Sequence, residues 1–274
     1  MNNEKIAGSD IQVDIPTLIS ISIFVFIIQN ILHEFCGHGV VTLLVGGKII
    51  SWSTAYLEHD LSSVGEIGRQ TVSAAGPIVN MLFGLLFWAI LKNQKRKTSG
   101  LTFFLWLSMT VNLLTGTGYF LFSGATGVGD WNSVIKYFDS YWFWRITLII
   151  VGIFLYLFSI WVSLKELNMF IGADEPNRNK LAFKLSFIPY LSGSIATTIG
   201  AFFNAISLVF VLTSAASTFG GTSGLAWMTQ LYSKKLFPKI DKKAIIIKRN
   251  WYWITISAIF LLIHIFVIGP SIKF

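Results

Sequence analysis

One cysteine, Cys36, stands in 274 residues, so no disulfide can form within the chain. Charge is scarce as well: Asp, Glu, Lys and Arg together make up 12% of the residues, against 54% hydrophobic, with a mean hydropathy of +0.66. A soluble domain of this size rarely has so little to offer water. No low-complexity tract and no clear internal repeat is present. The ~10-residue alternating segments of a membrane β-barrel are also missing. What remains are apolar runs that reach the ~20 residues needed to cross a bilayer. The fold class expected is therefore all-α, a polytopic transmembrane helical bundle of about 6–8 helices, with the lipid bilayer as its medium and no nucleic-acid partner. The first apolar run is too long for a signal-peptide core. Its leader mixes Glu4, Lys5, Asp10 and Asp14 and no small-residue cleavage site follows, so it is expected to be retained.

Taken in order, the chain gives an N-terminal segment over 1–15 and a first helix over 16–45. Asp14 and Pro16 mark the helix start and Gly46-Gly47 its end. Residues 48–56 alternate in part and suggest a short strand or hairpin; Glu58-His59-Asp60 is expected at the interface. A second helix is expected over 69–91 and a third over 101–122, followed by the Gly-rich turn Gly124-Ala125-Thr126-Gly127-Val128-Gly129-Asp130. A fourth helix is expected over 141–164. Residues 183–214 are too long for one crossing and carry Pro189, Gly193 and Gly200, so two passes are expected. A short extra helix over 222–232 and a last helix over 251–268 complete the chain. The basic loops around Lys92, Lys95, Arg96 and Lys97, and around Lys234, Lys235, Lys239, Lys242, Lys243, Lys248 and Arg249, then share one side with the N-terminus, Arg178 and Lys180. The positive-inside rule makes that side, and the N-terminus, cytoplasmic.

The chemistry concentrates in Ile31-Leu32-His33-Glu34-Phe35-Cys36-Gly37-His38-Gly39. Ionisable groups inside an apolar helix are expensive and need a partner or a task. A His-Glu pair with a second His one turn on is a pattern in which two imidazoles hold zinc and the Glu acts as base. Here the histidines are five apart. On an α-helix, positions five apart differ by about 140°, so a regular helix does not bring both rings to one ion. Two arrangements resolve this. A π-type bulge at Cys36-Gly37 would restack His33 and His38. Alternatively Glu34 and His38, four apart, would co-ligate and His33 would stand behind them. Asp130 is the candidate third ligand from another segment, provided the Gly-rich turn folds back toward the depth of His33; a plain helix N-cap is its other reading. A polar cluster without metal is the competing account of the whole group. Cys36 reads as a packing residue, His59 as interfacial and His264 as a core histidine.

The second helix contains Ala75-Gly76-Pro77-Ile78-Val79-Asn80, with small residues suited to close packing. The His-Glu motif, this Ala-Gly-Pro-x-x-Asn segment and an acidic residue after a Gly-containing turn come in the order in which they occur in the site-2 protease family of intramembrane zinc metalloproteases. Residues 16–138 resemble that family's core, and 139–274 carry additional helices of unassigned role. The resemblance implies zinc held by His33, His38 and Asp130, Glu34 as the base that activates water, and Asn80, with Pro77 and Gly76, along the substrate strand. It implies cleavage of transmembrane segments of membrane-protein substrates. Two other readings stand beside it: a non-proteolytic metal-binding relative serving as a subunit of a membrane complex, and an ion or proton path. The lack of acidic residues within the fourth and later helices, and of an inverted repeat, speaks against the last.

Overall fold

The computed structural model describes residues 13–95, 98–171, 178–203, 208–231 and 244–274. Arg96, Lys97, Tyr232 and the lysines from Lys234 to Lys243 lie outside them. Among the described residues, six helices are long and apolar enough to cross a membrane: α1 (Ile15–Leu44), α2 (Glu66–Asn93), α3 (Ser99–Thr126), α5 (Tyr141–Ile171), α6 (Arg178–Phe202) and α9 (Trp251–Ile268). The protein is an all-α, multi-pass helical bundle with lipid around it. Shorter elements fill the gaps. They are the strands β1 (Lys48–Trp52) and β2 (Leu57–Asp60), and the helices α4 (Asp130–Ile135), α7 (Leu208–Gly221) and α8 (Gly224–Trp227). A C-terminal strand, β3 (Ile272–Lys273), pairs with β1 and gives a sheet of order β2-β1-β3.

α1 begins where its sequence dictates. The Asp14 carboxylate accepts from the Thr17 amide at 3.0 Å and Pro16 sits in the first turn. The same carboxylate takes Arg249 Nε at 2.8 Å, and the Asn250 amide donates to Thr17 Oγ1 at 3.0 Å. Asn250 caps α9 in turn, accepting from the amides of Tyr252 and Trp253. The first and last helices are thus clasped at one end. Lys92 pairs there with Glu166 at 2.6 Å, and the Ile245 amide reaches Met169 O at 3.2 Å. The start of α1, the end of α2 and residues 244–250 share this end. The hairpin, β3 and α4 occupy the other. Because the fourth span runs on to Ile171, it takes in Glu166, a buried acid that the shorter helix expected from sequence left outside.

α3 is the central post. Its sequence is apolar or small all round, and its buried residues run from Gly100 to Gly124. Such a helix belongs inside a bundle. Of the two passes expected over 183–214, only α6 is long enough to be a membrane span. α7 returns antiparallel beside it, with the Tyr190 hydroxyl donating to Phe219 O at 3.3 Å, and stops at Gly221 against Gly118 near the middle of α3. The helix expected over 222–232 is divided into α8 and a 3-10 turn, Met228–Leu231. Tyr156 of α5 holds the break: its hydroxyl donates to Gly221 O and accepts from the Gly224 amide, both at 2.8 Å. Broken backbone at membrane depth is tolerable because protein surrounds it.

Candidate metal centre

Within α1, residues Leu32–Gly39 are π-helical. The wider turn accommodates the extra residue between the histidines, and their rings meet edge to face with centroids 4.9 Å apart. Glycine permits the packing that holds this turn in place. A Cβ on Gly37 would lie 2.7 Å from Gly76 Cα, backbone against backbone, so α1 and α2 touch only because both positions lack a side chain. A Cβ on Gly76 would also lie 2.5 Å from His38 Nε2 and 2.7 Å from His33 Cε1. The small residues of the Ala-Gly-Pro segment thus provide the room for the two imidazoles.

Each ring is fixed by its inner nitrogen. His38 Nδ1 is 2.7 Å from the Val72 carbonyl, which can only accept, so that nitrogen carries the proton. His33 Nδ1 is 2.6 Å from Asn80 Oδ1. Asn80 Nδ2 donates to Asn112 Oδ1 at 2.9 Å and Asn112 Nδ2 to Ser108 O at 2.8 Å, which assigns the amide orientations and puts the His33 proton on Nδ1 as well. Both Nε2 lone pairs therefore face outward, toward Asp130. The turn between α3 and Asp130 folds back through Gly127 (φ 72°) and Gly129 (φ 92°), left-handed positions that favour glycine. Gly129, not Asp130, occupies the N-cap of α4, so the carboxylate is free to face the rings.

Asp130 Oδ2 lies 3.2 Å from His33 Nε2 and 3.5 Å from His38 Nε2. The three ligand atoms fall within 4.8 Å of one another, a group that could hold a metal ion. A tetrahedron with ligand bonds of ~2.0–2.1 Å has edges of about 3.3 Å, so these spacings suit one small divalent ion. The donor chemistry agrees. Asp130 Oδ2 is buried without a hydrogen-bond donor, and the two nitrogens beside it present lone pairs. A shared proton would satisfy two of these three atoms; a cation satisfies all three. The hydrogen bonds at both Nδ1 atoms are of the kind that orient metal-bound histidines.

Glu34 lies outside this group of three. It lines a cavity of about 550 Å³ together with His33, His38 and Asp130. The other walls come from the hairpin (Tyr56, Leu57, His59), from α3 (Thr115, Tyr119, Phe122) and from α7 (Thr213, Ser217, Thr218). Burial holds the His59 imidazole below its ordinary pKa. Asn80, Gly76 and Pro77, assigned from sequence to the substrate strand, are all buried behind the imidazoles, and none of the three is among the cavity-lining residues. Cys36 is half-buried and outside the metal group, and His264 is fully buried against Gly200, away from it.

Sequence reasoning passed over Tyr119 and the α7 wall. The pairs Thr213-Ser214 and Ser217-Thr218, four apart, were the available signal: they put hydroxyls on one face of an apolar helix. A direct consequence of the Asn80 geometry concerns affinity. Asn80→Ala, which removes the partner of His33 Nδ1, should weaken zinc binding roughly 10–100-fold, as read by competition with a chelating dye. Unchanged affinity would show that the amide does not orient the ring. No family model matches the chain, and no similar curated protein or solved structure is found.

Proposed function

We propose that this protein is a zinc-dependent intramembrane protease that hydrolyses peptide bonds in transmembrane segments of other membrane proteins. One observation carries the reading: a His33–His38–Asp130 group with converging lone pairs opens, beside Glu34, onto a cavity with hydroxyl-bearing walls within a bundle of apolar helices. The motif order shared with site-2 proteases supports it from the sequence side. A bound zinc ion would supply Lewis-acid polarisation and lower the pKa of water. The chain's own residues do the rest. Glu34 takes a proton from the attacking water and returns it to the departing amine. Hydroxyl-bearing walls let water and an unwound peptide segment coexist at a depth where exposed backbone would otherwise be unsatisfied.

The test uses purified protein in proteoliposomes and a pool of synthetic single-span peptides with a mid-span Gly-Pro break, with new termini read by mass spectrometry. Wild type should cleave and should hold about one zinc per chain, as a single catalytic site requires. Glu34→Gln should keep the zinc and lose cleavage by about 10²–10⁴-fold, the range for loss of a general base. His33→Ala, His38→Ala and Asp130→Ala should each lose the metal. Cleavage that survives in Glu34→Gln would remove the assigned base. Zinc-loaded wild type that cuts none of the peptides would favour a metal-binding, non-proteolytic membrane subunit.

A further inference from the structure

Hydrolysis of an amide places negative charge on the former carbonyl oxygen, and an active site needs a donor aimed at it. Several hydroxyl, amide and imidazole groups line the cavity around Glu34. Two carboxylates, Glu34 and Asp130, already face it. Arg69 and Lys136 line it only from exposed positions. Thr213 Oγ1 donates to Val209 O at 2.8 Å and Ser217 Oγ to Ser214 O at 2.9 Å, so these hydroxyls are engaged with α7's own carbonyls. Tyr119 differs from all of them. Its ring stacks on His33 with centroids 4.8 Å apart and planes at 27°, which places it directly on a metal-group imidazole. Its side chain lines the same cavity as Asp130 and Glu34.

From this juxtaposition we infer that Tyr119 is a catalytic residue: its phenol O–H donates a hydrogen bond to the carbonyl oxygen of the bond being cut. The inference rests on the protease reading above. As the water oxygen bonds to the carbonyl carbon, the C=O π pair moves onto the carbonyl oxygen and the water's proton goes to Glu34. Tyr119 stabilises the resulting oxyanion without giving up its proton. When the C–N bond breaks, that electron pair returns to re-form the C=O and the Glu34 proton leaves on the amine. The donor is neutral throughout, which suits a site already carrying two carboxylates.

Tyr119→Phe separates this role from ring packing, because it keeps the stack on His33 and removes only the hydroxyl. With the same Gly-Pro span peptides, kcat should fall about 100-fold, the usual loss for one oxyanion donor, while zinc content and KM stay near wild type. A second readout needs no turnover. A fluorescent phosphinic peptide built on the cleaved sequence mimics the tetrahedral oxyanion, and its Kd by anisotropy should rise by a similar factor. Binding of uncleaved peptide, measured in the Glu34→Gln background, should not change. Wild-type kcat and phosphinate affinity in Tyr119→Phe would overturn the inference. Loss of zinc or of thermal stability with unchanged phosphinate affinity would also overturn it, leaving Tyr119 a packing partner of His33. If zinc-loaded wild type cleaves nothing, the protease reading falls and takes this role with it. If wild type cleaves and only Tyr119→Phe behaves normally, the reading stands and the role falls.

Discussion

Gly76→Ala should yield a folded membrane protein that no longer retains zinc. The added methyl would stand 2.5 Å from His38 Nε2 and 2.7–2.8 Å from two atoms of the His33 ring. Those are distances that carbon and nitrogen do not adopt without one of them moving. Neither imidazole has slack to give. Each is held at its inner nitrogen, by Val72 O and by Asn80 Oδ1. The methyl must therefore push apart the two nitrogens that would share the ion, or push α2 away from Gly37. The loss in zinc affinity should exceed the roughly 10–100-fold expected for a single orienting hydrogen bond. Elemental analysis of the purified variant beside wild type gives the answer. Wild-type zinc content would mean that the rings are not where the ion binds.

Deleting Cys36 should leave the metal site working, whereas deleting Ile28 should destroy it. The π stretch Leu32–Gly39 already contains the surplus residue, so removing one there lets the segment relax to an ordinary α-helix. The histidines would then stand four apart and still share a face, and the residues on either side would keep their orientation. Ile28 lies in regular α-helix. A deletion there turns everything beyond it by about 100° relative to everything before it. The rings would leave Asp130, and Gly37 would leave Gly76. Zinc within about tenfold of wild-type affinity in the first variant and absent zinc in the second is the expected pair of results. Equal loss in both would show that Leu32–Gly39 does not act as an absorbed insertion.

How much of this was legible in the sequence differs from element to element. The long helices announced themselves because crossing a bilayer demands an apolar run of fixed length, and no packing detail changes that. The spacing of His33 and His38 was informative because it was wrong for an α-helix: among the ways to place both rings on one ion, a widened turn was one of two, and it is what the backbone adopts. The return of Asp130 to the depth of His33 could be read from Gly127 and Gly129, both with positive φ. Other features left no mark. β3 is two residues long, and its pairing with β1 depends on where α9 ends. The break between α7 and α8 is stabilised by Tyr156, more than 60 residues away along the chain. Asn80 was recognised as an unusual amide inside a membrane helix, but the direction of its side chain follows from Asn112 and His33, which only the packed bundle brings together. Tyr119 is one aromatic among 24 Phe, 10 Trp and 8 Tyr, and nothing in its local sequence marks its contact with a histidine.

The sheet beside Glu34 has a consequence for biosynthesis. β1 and β2 are neighbours in sequence and can pair as soon as they emerge, but β1 also pairs with β3, through Ser51 with Lys273 and Trp52 with Ile272. A contact of such sequence separation cannot form until α9 has been made and inserted, and chains are folded as they are synthesised from the N-terminus. The wall that carries Leu57 is thus braced only after α9 has been made. The nascent bundle has its histidines in hand early and its bracing late, an order that withholds a rigid site while other membrane segments are still being inserted around it.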